Sequence, residues 1–256
     1  MLADTEREGH LPAFNAMFAD IGLPVEWSDD DYARLVSVGG GKERLKTLLT
    51  PRFVSDNALP TGTEDQARLV ANWHDRKSAV YRGLIESGQI PPRPGIPRLI
   101  RQAAEEGWQL AVASTSASAS VHAVLERVAG QHLAALFAVF AGDIVRNKKP
   151  APDIYNLARA ALGADPETTL VIEDSGIGVA AASAAGLTTV VTASTYTRHD
   201  DFSGSALVLT SLGDSGEPAR VISDPFSVEP GPEVQLADLS LVLQRAGVDA
   251  QGKVGK

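Results

Sequence analysis

The sequence predicts an α/β protein in two parts, a parallel sheet covered by helices and a helical segment ahead of it. From Pro91 onward, short apolar runs alternate with helical segments, the order of a parallel sheet whose strands are joined by helices. Before Gln89 the apolar residues recur at helical spacing and strand patterns are scarce. The 256 residues, 44% of them hydrophobic, are enough to bury a core and a smaller companion.

The N-terminal part, from about residue 6 to residue 89, is predicted to form several helices. Ala13-Phe14 and Met17-Phe18 follow one another at helical spacing, and Tyr32 and Leu35 repeat the pattern. Gly-rich and Pro-rich stretches at residues 39–41, 51 and 59–62 separate the helices.

The C-terminal part contains five predicted strands, at residues 109–113, 137–141, 169–172, 188–192 and 206–210. Helices are predicted at 97–107 and 150–163, because each stretch begins at a proline and ends at a glycine. A third helix follows Gly178 and ends at Gly186. An amphipathic stretch from Leu236 to Ala246 predicts a last helix, and we expect the polar end after it to fray.

The amino-acid composition excludes several classes of protein. The net charge of −9 argues against nucleic acid as a partner, because phosphate backbones are bound by basic surfaces. There are no cysteines, which excludes disulfides, thiolate nucleophiles and cysteine-bound zinc, and fits a cytoplasmic protein. The longest apolar run, residues 133–142, is far short of the ~20 residues of a membrane span, and the acidic N-terminus does not resemble a signal peptide. We expect a cytoplasmic monomer without membrane contact.

A metal, if present, is expected on oxygen ligands. The five histidines form no His-Glu-x-x-His pattern, so magnesium is favoured over zinc.

Ligands bind at the carboxyl ends of strands in open parallel sheets, so the residues after each apolar run are the first candidates. Ser114 and Thr115 follow the first strand, where a hydroxyl and free backbone N–H groups suit a phosphate oxygen, or form an ordinary small-residue loop. Lys148 and Lys149 precede a Pro-started helix and either neutralise a phosphoryl group or lie in solvent.

Glu173 and Asp174 are the most informative pair. They directly follow three apolar residues, and two acids at the end of a buried strand are costly unless they hold a cation or are hydrogen-bonded. Hard oxygen ligands of this kind are typical of Mg²⁺ beside a substrate phosphate.

The stretch from Gly40 to Arg44 carries two cations after a glycine run. It does not match a P-loop, since no serine or threonine follows Lys42. We expect a solvated loop here, or one that clamps an anionic substrate.

Taken in order, these signals resemble the motif series of the haloacid dehalogenase superfamily: strand–Ser, then Lys-Pro, then strand–Glu-Asp, all after a helical insert. Four stretches, at residues 4–15, 40–44, 148–155 and 172–175, are similar to the CbbY phosphatases, relatives of β-phosphoglucomutase encoded beside Calvin-cycle genes. The resemblance implies a Rossmann-like parallel sheet core with an inserted helical cap. Its implied division is residues 1–6 (remnant of the first core motif), 7–88 (cap), 89–228 (core) and 229–256 (C-terminal helix and tail).

Carried over by position, the resemblance implies that Ser114 hydrogen-bonds the transferred phosphoryl group and that Lys149 steadies its charge. Asp174 would bind Mg²⁺, with Glu173 helping directly or through water. The implied substrate is a small phosphorylated sugar, xylulose 1,5-bisphosphate, hydrolysed through an aspartyl-phosphate. The residues that would contact it are Glu6, His10, Lys42, Arg44, Lys77, Tyr81, Arg82 and Thr115.

The chain departs from the family at its first motif, Asp-x-Asp-Gly-Thr/Val-Leu-Ala, because Met1 stands at the Thr/Val position. In the family that motif carries the nucleophile, the acid/base and two metal ligands, on the central strand of the sheet. We therefore expect the first central strand to be missing, the chain as written to be inactive, and its start codon to have been assigned too late. Two alternatives stay open, a phosphosugar mutase like β-phosphoglucomutase and a catalytically dead protein that binds sugar phosphates.

Overall fold

The fold is built on two groups of parallel strands. A computed structural model describes residues 1–38 and 40–253, and side chains up to residue 247. Within them β1 pairs in parallel with β2, while β3, β4 and β5 form a parallel ladder that β6 extends in the antiparallel direction. The strands are β1 (Leu110–Ser114), β2 (Phe137–Ala141), β3 (Leu170–Glu173), β4 (Thr188–Thr192), β5 (Leu207–Leu209) and β6 (Val221–Ser223).

Ten α-helices lie within the described residues. Five precede the strands: α1 (Leu11–Asp20), α2 (Asp29–Val36), α3 (Gly41–Lys46), α4 (Pro51–Asp56) and α5 (Thr63–Glu86). Five belong to the strand-containing part: α6 (Ile96–Glu105), α7 (Ser118–Ala134), α8 (Asp153–Leu162), α9 (Gly176–Ala184) and α10 (Leu236–Lys253). A π-helical turn, Glu6–His10, precedes α1, and a 3₁₀ turn, Pro166–Thr168, precedes β3.

Helices cover both faces of the sheet. Successive side chains of a strand point to opposite faces of the sheet, so neighbouring residues of β4 pack in different hydrophobic clusters. Val190 packs in the large cluster formed with residues of α5, α6, α7 and α10, whereas Val191 packs against Val179 of α9. This is the layered arrangement predicted for alternating strands and helices.

A gap separates β1 from β3. Each has one strand neighbour, β2 and β4 respectively, so within the described residues their facing edges have no β-ladder partner. The gap opens into a cavity of about 1010 Å³ that is lined by all of β1, all of β3 and apolar side chains from the covering helices. We call this gap the slot. Within the described residues no strand lies in the slot.

The residues ahead of the cap run along the cavity rather than in the slot as a strand. Ala3 is buried and forms an isolated antiparallel bridge with Pro92, and the Leu2 carbonyl accepts a hydrogen bond from the Arg93 N–H at 3.1 Å.

The helical part packs around its own aromatic core. Phe14 and Phe18 of α1 contact Trp27 edge-on, with ring centroids 4.8 and 4.9 Å apart. Such aromatic pairs stabilise a core beyond their buried area. These helices fall within the predicted cap, residues 7–88, and the exact domain boundaries stay predictions.

Most predicted elements are present, but β6 was not predicted and three other stretches differ from the prediction. Residues 40–44 are not a loop, because α3 begins at Gly41 and its Arg44 is buried; Gly39 lies outside the described residues. Helix α9 begins at Gly176 instead of after Gly178, and α10 continues past Ala246 to Lys253. Residues 254–256 of the expected fraying end are also outside the described part.

No helix within the described residues is long and apolar enough to cross a membrane.

Candidate active site

The carboxyl ends of β1 and β3 meet at one end of the cavity. Ser114 is the last residue of β1, and its Oγ accepts a hydrogen bond from the Ser116 N–H at 3.1 Å. Ser114, Thr115 and Ser116 all line the cavity. The Ser114 hydroxyl proton is free for another acceptor, because this contact uses only a lone pair of the oxygen.

Lys149 bridges the two sides of the slot. Its ammonium group donates to the Ala113 carbonyl of β1 at 3.0 Å and to Glu173 Oε1 of β3 at 2.5 Å. It also donates to the hydroxyl of Tyr155, on α8, at 3.0 Å. The Lys149 side chain is 10% exposed and is held at the strand ends, so it is not the solvated lysine that its position beside Lys148 allows.

Glu173 is buried, 6% exposed, and all its lone-pair directions are used. Oε1 accepts from Lys149 and from the Tyr155 hydroxyl at 2.6 Å, and Oε2 accepts from the Asp174 N–H and the Ser175 hydroxyl. Burial raises the pKa of this carboxyl, but the charge and hydrogen bond of Lys149 outweigh burial and lower the pKa to about 2. Glu173 is thus an anion that holds Lys149.

A glycine makes room for that carboxylate. A Cβ atom on Gly178 would lie 2.1 Å from the Glu173 carboxyl carbon, so the first turn of α9 can approach β3 only without a side chain there. The Ser175 hydroxyl caps the same helix by accepting from the Gly178 N–H at 3.2 Å.

Asp174 is the second strand-end carboxylate that lines the cavity. Its Oδ2 lies 2.6 Å from the N-terminal ammonium of Met1, with both groups about one-quarter exposed. Within the described residues, no group of three or more His, Cys, Asp or Glu side chains forms a complete metal cage. Mg²⁺ commonly uses one or two carboxylates plus water and substrate phosphate, so Asp174 fits such an ion, while Glu173 is already fully hydrogen-bonded.

A buried polar cluster forms the cap side of the cavity. Glu6 Oε2 accepts from the Tyr32 hydroxyl at 2.6 Å and from Arg44 Nη1 at 2.8 Å, and Arg44 Nη1 also lies 2.5 Å from the Tyr32 oxygen. Burial raises the pKa of Glu6, but Arg44 and the other hydrogen-bond donors hold it well below its ordinary value. The cluster therefore places a tied pair of opposite charges beside the cavity.

His10 and Lys77 form a second cap pair, with Nζ and Nδ1 2.6 Å apart, and His10 stacks on Tyr81 at 4.2 Å. Burial lowers the pKa of Lys77 to about 7. Burial and the charge of Lys77 lower the pKa of His10. His10 is therefore neutral near pH 7, and its Nδ1 accepts from Lys77 when that lysine is protonated. The π-helical turn that carries Glu6 and His10 presents both to the cavity.

Charged residues join cap and core outside this cluster. Lys42 of α3 donates to Asp143 Oδ2 at 2.9 Å, and Lys148 lies 3.0 Å from Asp143 Oδ1 and 3.2 Å from Glu43 Oε1. The hydrogen bonds from Lys42 and Lys148 lower the pKa of Asp143 to about 2.

The structure brings most of the predicted site residues to one cavity. Three of the predicted residues do not line the cavity: Lys77, which contacts His10, Lys42, which pairs with Asp143, and Arg82. The predicted residues that do line the cavity are Glu6, His10, Arg44, Tyr81, Ser114, Thr115, Lys149, Glu173 and Asp174.

Sequence reasoning missed Tyr32 and Tyr155. Both lie at apolar positions of helices and are buried, where a phenol usually finds a hydrogen-bond partner. A tyrosine in an otherwise apolar helix face was the available signal, but it does not tell which charged group the hydroxyl meets.

Comparison with known proteins agrees with this geometry. The model of haloacid dehalogenase-like hydrolases matches residues 2–186. The chain belongs to the haloacid dehalogenase-like hydrolase family. Within it the CbbY branch is indicated by the CbbY protein of Cupriavidus necator, 43% identical over 85% of this chain and 84% of that protein. A CBBY-like protein of Arabidopsis thaliana is 41% identical over 85% of this chain and 68% of that protein.

A solved structure shares both fold and branch. It is a CbbY variant from Rhodobacter sphaeroides in complex with xylulose 1,5-bisphosphate, 37% identical, with a TM-score of 0.71 over 82% of this chain and 89% of that one. The resemblance to CbbY and the α/β fold with a helical cap are thereby confirmed, and the chain is a hydrolase by family.

Proposed function

We propose that this chain forms the core and cap of a Mg²⁺-dependent phosphatase that acts on a small sugar bisphosphate of the xylulose 1,5-bisphosphate type. The observation that carries the proposal is the convergence of Ser114, Lys149 and Asp174 at the strand ends, beneath a cap cluster that contains Arg44. The CbbY relative bound to xylulose 1,5-bisphosphate supports the choice of substrate.

Ser114 and Lys149 act on the reacting phosphate. The Ser114 hydroxyl donates to a phosphoryl oxygen, and the Lys149 ammonium, fixed by Glu173 and Tyr155, supplies positive charge without having to reorganise. Because Lys149 is preorganised by its neighbours, its charge is available where negative charge develops.

Asp174 would hold the magnesium ion, which spreads the negative charge of the phosphoryl group when bound. The cap residues Glu6, His10 and Arg44 select the sugar, since they face the same cavity from the opposite side.

The nucleophile is proposed to come from a strand in the slot. Of the carboxylates that line the cavity, Glu173 and Asp174 lie at the strand ends, and each is bonded to a cation. A parallel strand between β1 and β3 would place its own carboxyl end next to Ser114 and Asp174, because all three strands would end at the same edge.

The test compares three proteins. They are residues 1–256, the same chain preceded by an apolar strand ending in Asp-x-Asp-Gly, and a matched extension with Asn-x-Asn-Gly. Only the aspartate extension is expected to release phosphate from xylulose 1,5-bisphosphate, and only with Mg²⁺. No turnover by the aspartate extension, or equal turnover by residues 1–256, contradicts the proposal. An isomeric product without free phosphate would instead indicate a mutase.

A second candidate function is sugar-phosphate binding without catalysis. It is favoured by the state of Glu173, which is paired with Lys149 and hydrogen-bonded at both carboxylate oxygens. Titration calorimetry of residues 1–256 with the sugar bisphosphate separates this function from the phosphatase. If residues 1–256 bind the sugar bisphosphate and the protein with the aspartate extension is inactive, the chain is a sugar-phosphate-binding protein.

A further inference from the structure

One segment of the core touches both the cap and the turn that carries Asp174. It follows β4 and comprises residues 194–200, and we call it the strap. Ser194 and Thr197 of the strap line the cavity, and Thr197 is 3% exposed.

The strap holds the Asp174 turn at two points. The Thr197 hydroxyl donates to the Asp174 backbone carbonyl, and Asp200 Oδ2 accepts from the Gly176 N–H at 2.8 Å. Ser194 orients Thr197, since their hydroxyl oxygens are 2.9 Å apart and the Ser194 N–H donates to Thr197 Oγ1 at 3.0 Å. Both contacts lie on the C-terminal side of the Asp174 Cα atom, one at its own carbonyl and one at the N–H two residues later, and they hold the backbone of the turn.

The strap also contacts the cap, through Tyr196. The Tyr196 hydroxyl donates to Asp29 Oδ1, at the first turn of α2, over 2.5 Å. Its ring also meets the Tyr32 ring edge-on, with centroids 5.6 Å apart. Because Tyr32 bonds Glu6, the strap is connected to the polar cluster of the cap.

Tyr196 and Thr197 are adjacent, and consecutive Cα atoms are held about 3.8 Å apart by the trans peptide. A movement of α2 that carries Asp29 away therefore either breaks the Tyr196 contact or pulls Thr197 from the Asp174 carbonyl. The cap and the Asp174 turn cannot shift independently while both hydrogen bonds exist.

We propose that Tyr196 is a positioning residue that couples the position of the cap to the geometry of Asp174. Cap closure orders the strap, and the ordered strap fixes the Asp174 turn. What Asp174 does once fixed rests on the proposed function, but the coupling itself does not.

Hydrogen–deuterium exchange of residues 1–256, without ligand, tests the coupling. Tyr196→Phe removes the hydroxyl alone, and Asp29→Ala removes its acceptor from the cap. Each is expected to raise amide exchange at residues 174–179 by about 2- to 12-fold, the effect of losing one hydrogen bond. The double variant should exchange no faster than Asp29→Ala, which also loses an exposed ion pair with Arg7, because both changes break the same Tyr196–Asp29 contact.

Asp30→Ala is the matched control. It removes the same charge from the same helix turn, and the Asp30 side chain makes no hydrogen bond or ion pair within the described residues. Exchange at residues 174–179 should be unchanged in this variant, and exchange in β5 should be unchanged in all of them.

Three results overturn the proposal: no change at 174–179 in Tyr196→Phe or Asp29→Ala, an equal rise in Asp30→Ala, or additive effects in the double variant. A rise in β5 as large as that at 174–179 also counts against it, because the loss would then be global. Since no turnover is measured, failure here leaves the phosphatase proposal intact, and an inactive extended enzyme leaves the coupling intact.

Discussion

Replacing Lys149 with methionine tests whether this lysine holds the two halves of the split sheet together. Methionine has a similar length but no ammonium group, so the change removes the donors to Ala113 of β1 and Glu173 of β3. Across the slot no β-ladder connects these strands within the described residues. The Lys149 bridge is thus a direct polar link between them.

The expected loss is large because Glu173 stays behind as a buried anion. Removing one partner of a buried ion pair typically costs ~3–5 kcal/mol. The pKa of Glu173 agrees in direction, since the charge and hydrogen bond of Lys149 lower it in spite of burial. A carboxyl with a lowered folded-state pKa stabilises the fold above its unfolded pKa. That contribution is lost as the pH falls through about 4.5 toward 2.

Urea unfolding of Lys149→Met, Glu173→Gln and the double variant at pH 7 measures this coupling. The double variant should lose less free energy of unfolding than the two single losses combined. Lys148→Met, at a more exposed ion pair, is the matched control and should lose less than ~1 kcal/mol. Equal losses for the two lysine variants, or strict additivity in the cycle, would refute the reasoning, as would a Lys149→Met difference that does not shrink in acid.

Four further changes have defined outcomes. The wild type should gain free energy of unfolding relative to Lys77→Met between pH 7 and pH 9.5, by up to ~1.4 kcal/mol per pH unit. The reason is that the folded chain releases the Lys77 proton near pH 7, whereas the unfolded chain releases it only near pH ~10.4. Arg44→Ala should cost ~3–5 kcal/mol in urea unfolding by leaving Glu6 buried without its cation, whereas Lys42→Ala, at an exposed pair, should cost under ~1 kcal/mol. Gly178→Ala should destabilise by ~1–3 kcal/mol through its clash with Glu173, and an unchanged thermal midpoint would contradict the close approach of α9. In the protein extended with Asp-x-Asp-Gly, Ser114→Ala should lower kcat by ~10²–10³, and a change in KM alone would make Ser114 a binding group instead.

The sequence was sufficient to predict the strands that carry the site. β1 and β3, which carry Ser114 and Glu173, begin one residue later than predicted, and β2 and β4 lie at the predicted residues, because buried parallel strands are short apolar runs bounded by turn residues. β6 was missed because its three residues are all exposed and carry no apolar alternation. Its place at the sheet edge comes from pairing with β5, a contact between residues far apart in the chain.

The cap was harder to predict. The glycine run before Lys42 suggested a loop, but α3 forms and buries Arg44 because Glu6, from the turn before α1, neutralises it there. Tyr32 joins them only once α2 has packed on α1. Helical periodicity shows which face of a helix is apolar. It does not show which charged residue of another element will contact that helix.

The sequence by itself determined the fold class, the order of the motifs and the candidates Ser114, Lys149 and Asp174, because each follows a recognisable strand or opens a recognisable helix. Only the tertiary structure decided that Lys149 spans the slot to Glu173, that Lys42 pairs with Asp143, and that Tyr196 links Asp29 of the cap to the Asp174 turn. Local propensity acts over a few neighbouring residues, whereas ion pairs and buried hydrogen bonds depend on distances set by the packing of the whole chain.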